Sequence, residues 1–146
     1  MFADFIKRLT QPDPAPLPDD DARLALTALL VRIARSDNDY AASESRLIDQ
    51  IVMQRYGLDA DAARALRSDA ETLETEAPDT VRFTRAIKDA VPYENRMGVV
   101  EALWQVVLAD GERDAAEDAL LRLSTNLLGV SDVDSARARQ RAEKAL

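Results

Sequence analysis

The chain contains no cysteine and no histidine. Without them there is no Ser-His-Asp or Cys-His machinery, no disulfide, no zinc knuckle, no iron–sulfur cluster and no thiolate nucleophile. Any metal would have to be held by oxygen atoms alone. Glycine is also scarce, and Gly57, Gly98, Gly111 and Gly129 are too scattered to build a G-x-G-x-x-G or G-x-x-x-x-G-K nucleotide loop. One Trp, three Tyr and three Phe offer little surface for stacking sugar rings, which counts against paired-carboxylate glycosidase chemistry. No apolar run approaches the roughly 20 residues of a membrane span, and the first nine residues are too short, with Asp4 too early, for a signal peptide. With no activated nucleophile and no tuned acid–base pair in view, the expectation is a protein that is not an enzyme.

What is present is acid. The 146 residues carry 27 acidic and 19 basic side chains, a formal charge of −8. That balance argues against nucleic acid, whose binders present basic patches, and suits cations or basic protein partners. The length fits one domain with a self-sufficient core, expected to be cytoplasmic.

Along the chain, Phe2, Phe5, Ile6 and Leu9 fall at helical spacing, so residues 1–10 read as an amphipathic N-terminal helix. Pro12, Pro14, Pro16 and Pro18 make residues 11–20 a stiff linker, because proline removes the amide donor and drives its predecessor to extended geometry. Residues 21–146 are the helical domain. Docking of residues 1–9 back onto that domain is the plain expectation, and peripheral attachment to a membrane or a partner the alternative.

Within the domain, Leu26, Leu30, Ile33 and Ala34 predict a helix over 22–36 with one apolar face. A second carries Leu47, Ile48, Ile51, Val52 and Tyr56 and stops at Gly57. Asp59 caps a third with Ala63, Leu66, Ala70 and Leu73, and Asp79 a fourth with Phe83, Ile87 and Val91, ended by Pro92. Residues 93–109 form a fifth, whose Val99, Val100, Leu103, Trp104, Val107 and Leu108 mark the centre of the core, with Trp104 expected to be buried and apart from any site. Residues 114–128 form a sixth closed by Gly129. Ser131 opens a seventh, whose Arg137, Arg139, Arg141 and Lys144 should form a solvated or salt-bridged face. No period-two β-branched run occurs, so the fold class is all-α, a compact bundle of about seven helices.

The most informative feature is a repeat. The stretch from Leu30 through Asp37, Asp39 and Glu44 to Ile48 aligns without gaps on that from Leu103 through Asp110, Glu112 and Glu117 to Leu121. Each copy is a helix, an acidic turn and the start of another helix, which predicts two pseudo-symmetric helix–turn–helix halves. In each turn three carboxylates converge, Asp37, Asp39 and Glu44 in the first, Asp110, Glu112 and Glu117 in the second. Crowded carboxylates repel unless a cation lies between them, and Ca2+ or Mg2+ would accept their oxygens, turn carbonyls and water. Gly111 and the additional Asp114 make the second turn the expected stronger site. An EF-hand does not fit, since Ala115 stands where that loop needs Gly and Leu121 where it needs Glu. The same acids also make good helix caps, as in the capping box from Asp114 to Glu117, and on the residues alone the two interpretations stand level.

The segment from Leu29 to Tyr40, the Arg55-Tyr-Gly-Leu58 stop, the Val81-Arg-Phe-Thr-Arg85 stretch, the segment from Glu101 to Glu112 and the Leu127-Leu-Gly-Val-Ser131 ending together resemble TerB-like proteins associated with tellurite resistance. The resemblance covers roughly residues 22–142. It implies an all-helical domain of two related halves, the same six carboxylates as divalent-metal ligands, and links to bacterial metal-stress and membrane-associated systems. The first turn departs from the pattern, with Ser36-Asp-Asn-Asp39 in place of Ala-Asp-Gly-Glu. The expected function is thus a non-enzymatic divalent-cation-binding module in a bacterial tellurite or metal-stress response. The alternative is a metal-independent acidic scaffold for protein partners.

Overall fold

In a computed structural model, residues 19–36, 40, 42–76, 84–85, 87–89, 91–109 and 115–145 are described. They form α1 (Asp19–Arg35), α2 (Ala42–Tyr56), α3 (Ala60–Glu76), α4 (Tyr93–Ala109), α5 (Ala115–Leu127) and α6 (Asp132–Ala145), with helical residues also at 84–85 and 87–89. No strand occurs among the described residues, and the fold is all-α. The amphipathic stretch 1–9, residues 11–18 of the proline linker, and Asp79 and Phe83 lie outside the described residues, while Asp19 and Asp20, read from the sequence as the end of the linker, already belong to α1, because neither carries the proline ring that bars a helix.

Two helices make the centre. α4 buries Val99, Val100, Ala102, Leu103, Val106 and Val107, as its apolar stripe predicts. α1 differs from its expectation of one apolar face, because Ala25 through Val31 are all buried. The cause is encirclement, since α1 packs against α2, α3, α4 and α5. A helix surrounded on every side buries even its polar positions, and each must find a partner. Thr27 does so by donating its hydroxyl to the Arg23 carbonyl at 2.7 Å.

The most extensive packing joins α4 to α6 and α1 to α3. Ala138 and Ala142 on α6, and Ala63 and Ala70 on α3, are fully buried, and these small side chains let each outer helix approach its central partner closely. The central helices α1 and α4 also touch each other, while α2 packs on α4 and α5 on α1.

Helix ends follow local chemistry. Gly57 and Gly129 sit at φ of 65° and 74°, the left-handed region where only glycine avoids a Cβ clash. Behind each, an amide reaches back five residues, Leu58 N to Met53 O and Val130 N to Thr125 O, both at 3.1 Å. These are paired Schellman closures. The next helices are capped as predicted, with the Ala62 amide donating to Asp59 Oδ1 at 2.7 Å and the Asp134 amide to Ser131 Oγ at 3.2 Å. Alanine at Gly57, where nothing crowds the added Cβ, is expected to cost about 1 kcal/mol from backbone strain alone, measured by urea unfolding.

Arg96 locks the second half together. Its Nε donates to Val91 O and its Nη2 to Lys88 O, each at 2.9 Å, and its Nη1 to Leu128 O at 3.4 Å. One guanidinium thereby satisfies carbonyls at or just beyond the ends of two helical stretches, residues 87–89 and α5, that meet beside α4.

Candidate functional site

α1 closes on Ser36, whose amide and hydroxyl both donate to Ile33 O, at 3.2 and 2.7 Å. Helix resumes at Ala42. Glu44 is the third residue of α2, and its neighbours Ala42 and Ser43 are exposed while Glu44 itself is only 3% accessible. Its carboxylate is thus withdrawn from solvent at the start of α2, the end of that helix that follows the first acidic stretch in sequence.

Of the six predicted ligands, Glu44 is the one whose side chain is described. Asp37, Asp39, Asp110 and Glu112 lie outside the described residues, and Glu117 is placed by its backbone in the first turn of α5. The two turns are nonetheless bracketed alike, by the ends of the two central helices and the starts of α2 and α5. Among the described residues, no three acidic side chains gather to hold a metal.

Beside the first turn stands a charged network that the sequence pattern did not disclose. Glu74 of α3 accepts from Arg32 Nε at 3.2 Å and from Arg35 Nη1 at 2.7 Å. Arg32 and Arg35 also reach the carbonyls of Glu74 and Glu71, at 3.1 and 3.4 Å. Further along α3, Arg67 pairs with Asp49 of α2 at 2.6 Å and with Glu71 at 3.2 Å. Two arginines at the end of α1, just before an acidic turn, were the available signal, but nothing in their spacing names a partner some 40 residues away. These pairs are only partly exposed, so they fix the relative positions of α1, α2 and α3 around the turn.

Tyr40 leaves the turn into this network. The Arg35 guanidinium lies 5.1 Å from its ring centroid, and its buried hydroxyl faces Glu71 and Arg67. Burial, reinforced by the Glu71 carboxylate, pushes the phenol well above its ordinary range. Tyr56, at the other end of α2, is also raised, by burial against the opposing pull of Arg55 and Arg23. A raised native pKa favours the neutral phenol, so this stability is fully present below pH ~10 and is lost as pH rises beyond it. Absorbance of tyrosinate in an alkaline titration is expected to show two late-ionising phenols in the native protein, both reverting to ordinary behaviour in denaturant.

Trp104 corrects its expectation. It packs against the core but is only half-buried, its Nε1 donates to Ser135 Oγ at 3.2 Å, and Arg139 stands 5.2 Å from its ring centroid. The indole lines a cavity of about 410 Å3 with Arg122, Asn126, Asp132 and Ser135. The reason is geometric: α6 crosses α4 at this position and presents polar Ser135 and Asp132 where a third apolar helix would have sealed the ring. Acrylamide is therefore expected to quench the single tryptophan measurably in the folded state, which a sealed indole would resist. The basic run on α6 is salt-bridged in part, Arg139 to Glu143 at 2.9 Å and Arg137 to Asp134 at 3.8 Å.

The fold thus defines an acidic all-helical domain built on two central helices, each followed in sequence by a carboxylate-rich stretch. The family model of tellurite resistance protein TerB matches residues 23–140, and the chain belongs to that family. No curated protein and no solved structure matches it in the corresponding comparisons. No helix among the described residues is long and apolar enough to cross a membrane.

Proposed function

We propose that this TerB-family protein is a non-enzymatic module that binds hard divalent cations at its two acidic turns and serves a bacterial tellurite or metal-stress response through protein partners. The observation that carries the proposal is the burial of Glu44 at the start of α2, next in sequence to the first acidic stretch. A carboxylate withdrawn from water is costly to keep ionised, and a neighbouring divalent ion offsets that cost more effectively than solvent does. The donor set agrees. With no histidine or cysteine in the chain, Asp37, Asp39 and Glu44, or Asp110, Glu112 and Glu117, offer oxygen only, the preference of Ca2+ and Mg2+. An ion so bound would supply positive charge to the ends of the central helices, where carbonyls already concentrate negative potential.

Two further observations support a pair of related sites. The packing of α2 on α4 has its counterpart in that of α5 on α1, and the glycine closures and caps of the two halves correspond. We read the halves as a duplicated unit related by an approximate twofold axis.

Calorimetric titration of chelator-treated protein with Ca2+ and Mg2+ tests the proposal. Binding is expected in the parent and is expected to weaken sharply in an Asp110→Ala, Glu112→Ala double variant. A parent that binds neither ion at millimolar concentration would leave the acids as helix caps and the protein as an acidic interaction scaffold.

A further inference from the structure

At the C-terminal end of α2, the opposite end of that helix from Glu44, Arg55 lies across the start of α4. Its Nη1 would stand 3.0 Å from a Cβ built on Gly98, so the glycine leaves the space the guanidinium occupies. A glycine inside a helix costs about 1 kcal/mol relative to alanine, and here that cost coincides with room for one charged side chain. The Nε of Arg55 is buried and has no hydrogen-bond partner, and among the described residues no carboxylate lies within ion-pair distance of the guanidinium. Its close contact is instead Tyr56, whose ring centroid is 5.8 Å from Arg55 and 4.7 Å from Arg23. In a chain with excess acid, where Arg32, Arg35, Arg67 and Arg139 each find a carboxylate, a half-buried arginine that has none among the described residues and whose side chain lines a cleft is a poised anion receptor.

The guanidinium opens on a cleft of about 220 Å3 between α2 and α4, lined also by Ile51, Gln54, Glu101 and Gln105. The volume is below the roughly 300 Å3 at which drug-sized pockets begin, and suits a molecule of amino-acid size. The lining selects further. Glu101 repels a simple anion, as does the net charge of −8, whereas it attracts an ammonium group. Two glutamine amides can each donate or accept, and Ile51 gives an apolar wall. We propose that this cleft binds a small zwitterion of the α-amino-acid class, its carboxylate on Arg55 and its ammonium toward Glu101. The site is independent of the acidic turns, and its occupancy does not depend on a metal.

The test follows the Arg55 Nε–H resonance by isotope-edited NMR while the full chain is titrated with glutamine, N-acetylglutamine, glutamine amide and inorganic phosphate. Glutamine is expected to shift the resonance saturably, and the acetylated and amidated probes to bind about tenfold more weakly, each having lost one charge-assisted contact. Calorimetry with glutamine then compares variants. Arg55→Gln is expected to lose binding. Glu101→Gln should weaken glutamine while leaving N-acetylglutamine equal or tighter. Gly98→Ala, which helix propensity favours and which therefore folds, should weaken glutamine by displacing the guanidinium. An unmoved resonance with every probe at millimolar concentration overturns the proposal. So does phosphate binding as well as glutamine, which would mark a plain anion site, or N-acetylglutamine binding as well as glutamine in the parent.

Discussion

Glutamine in place of Glu44 is expected to remove the first turn's share of the stabilisation that Ca2+ gives the parent protein, and glutamine in place of Glu117 a larger share. A ligand that binds only the folded state at a hundredfold excess over its dissociation constant adds about 2.7 kcal/mol. Glu44 is buried, and the amide is nearly isosteric but carries no charge for the ion. Denaturant unfolding should be run in chelator and in excess Ca2+, because the difference between the two conditions isolates the ion from any change in helix capping. If Glu44→Gln gains as much from Ca2+ as the parent does, the first turn does not use this carboxylate. If only Glu117→Gln loses the gain, binding resides in the second turn, as Gly111 and Asp114 led us to expect.

The second large effect belongs to the core. Leu30 and Leu103 occupy equivalent places in the repeat, one on each central helix, and both are fully buried in one continuous apolar cluster. Leu103→Ala or Leu30→Ala is expected to lower the unfolding free energy by about 3–4 kcal/mol, the sum of lost transfer energy and residual cavity. Against a typical total of about 5–15 kcal/mol, either change consumes a large share of the stability. Leu123, nearly half exposed on α5, provides the control, and its alanine variant should cost well under 1 kcal/mol. Comparable losses at all three positions would contradict a core centred on α1 and α4.

Much of the fold was legible because helix boundaries are local events. Gly57 and Gly129 announce left-handed closures, and Asp59 and Ser131 announce caps, through interactions spanning three to five residues. The stripe on residues 93–109 predicted a central helix for the same reason. The burial of α1 on all sides was not legible, because periodicity reports one favoured face and is silent on how many neighbours arrive. Trp104 failed as a buried residue because its accessibility depends on α6, which follows it by some 30 residues.

For the site, the sequence by itself determined the residue types: an oxygen-only donor set, repeated at a constant spacing, on turns between helices. Those are properties of composition and register, which hold before any two helices meet. Only the tertiary structure decided that Glu44 faces inward, that ion pairs of Arg32, Arg35 and Arg67 tie α1 and α2 to α3, and that Arg55 lies over Gly98. Each of these joins positions brought together by packing rather than by chain spacing, and an arginine's partner is set by which carboxylate the folded helices carry within reach.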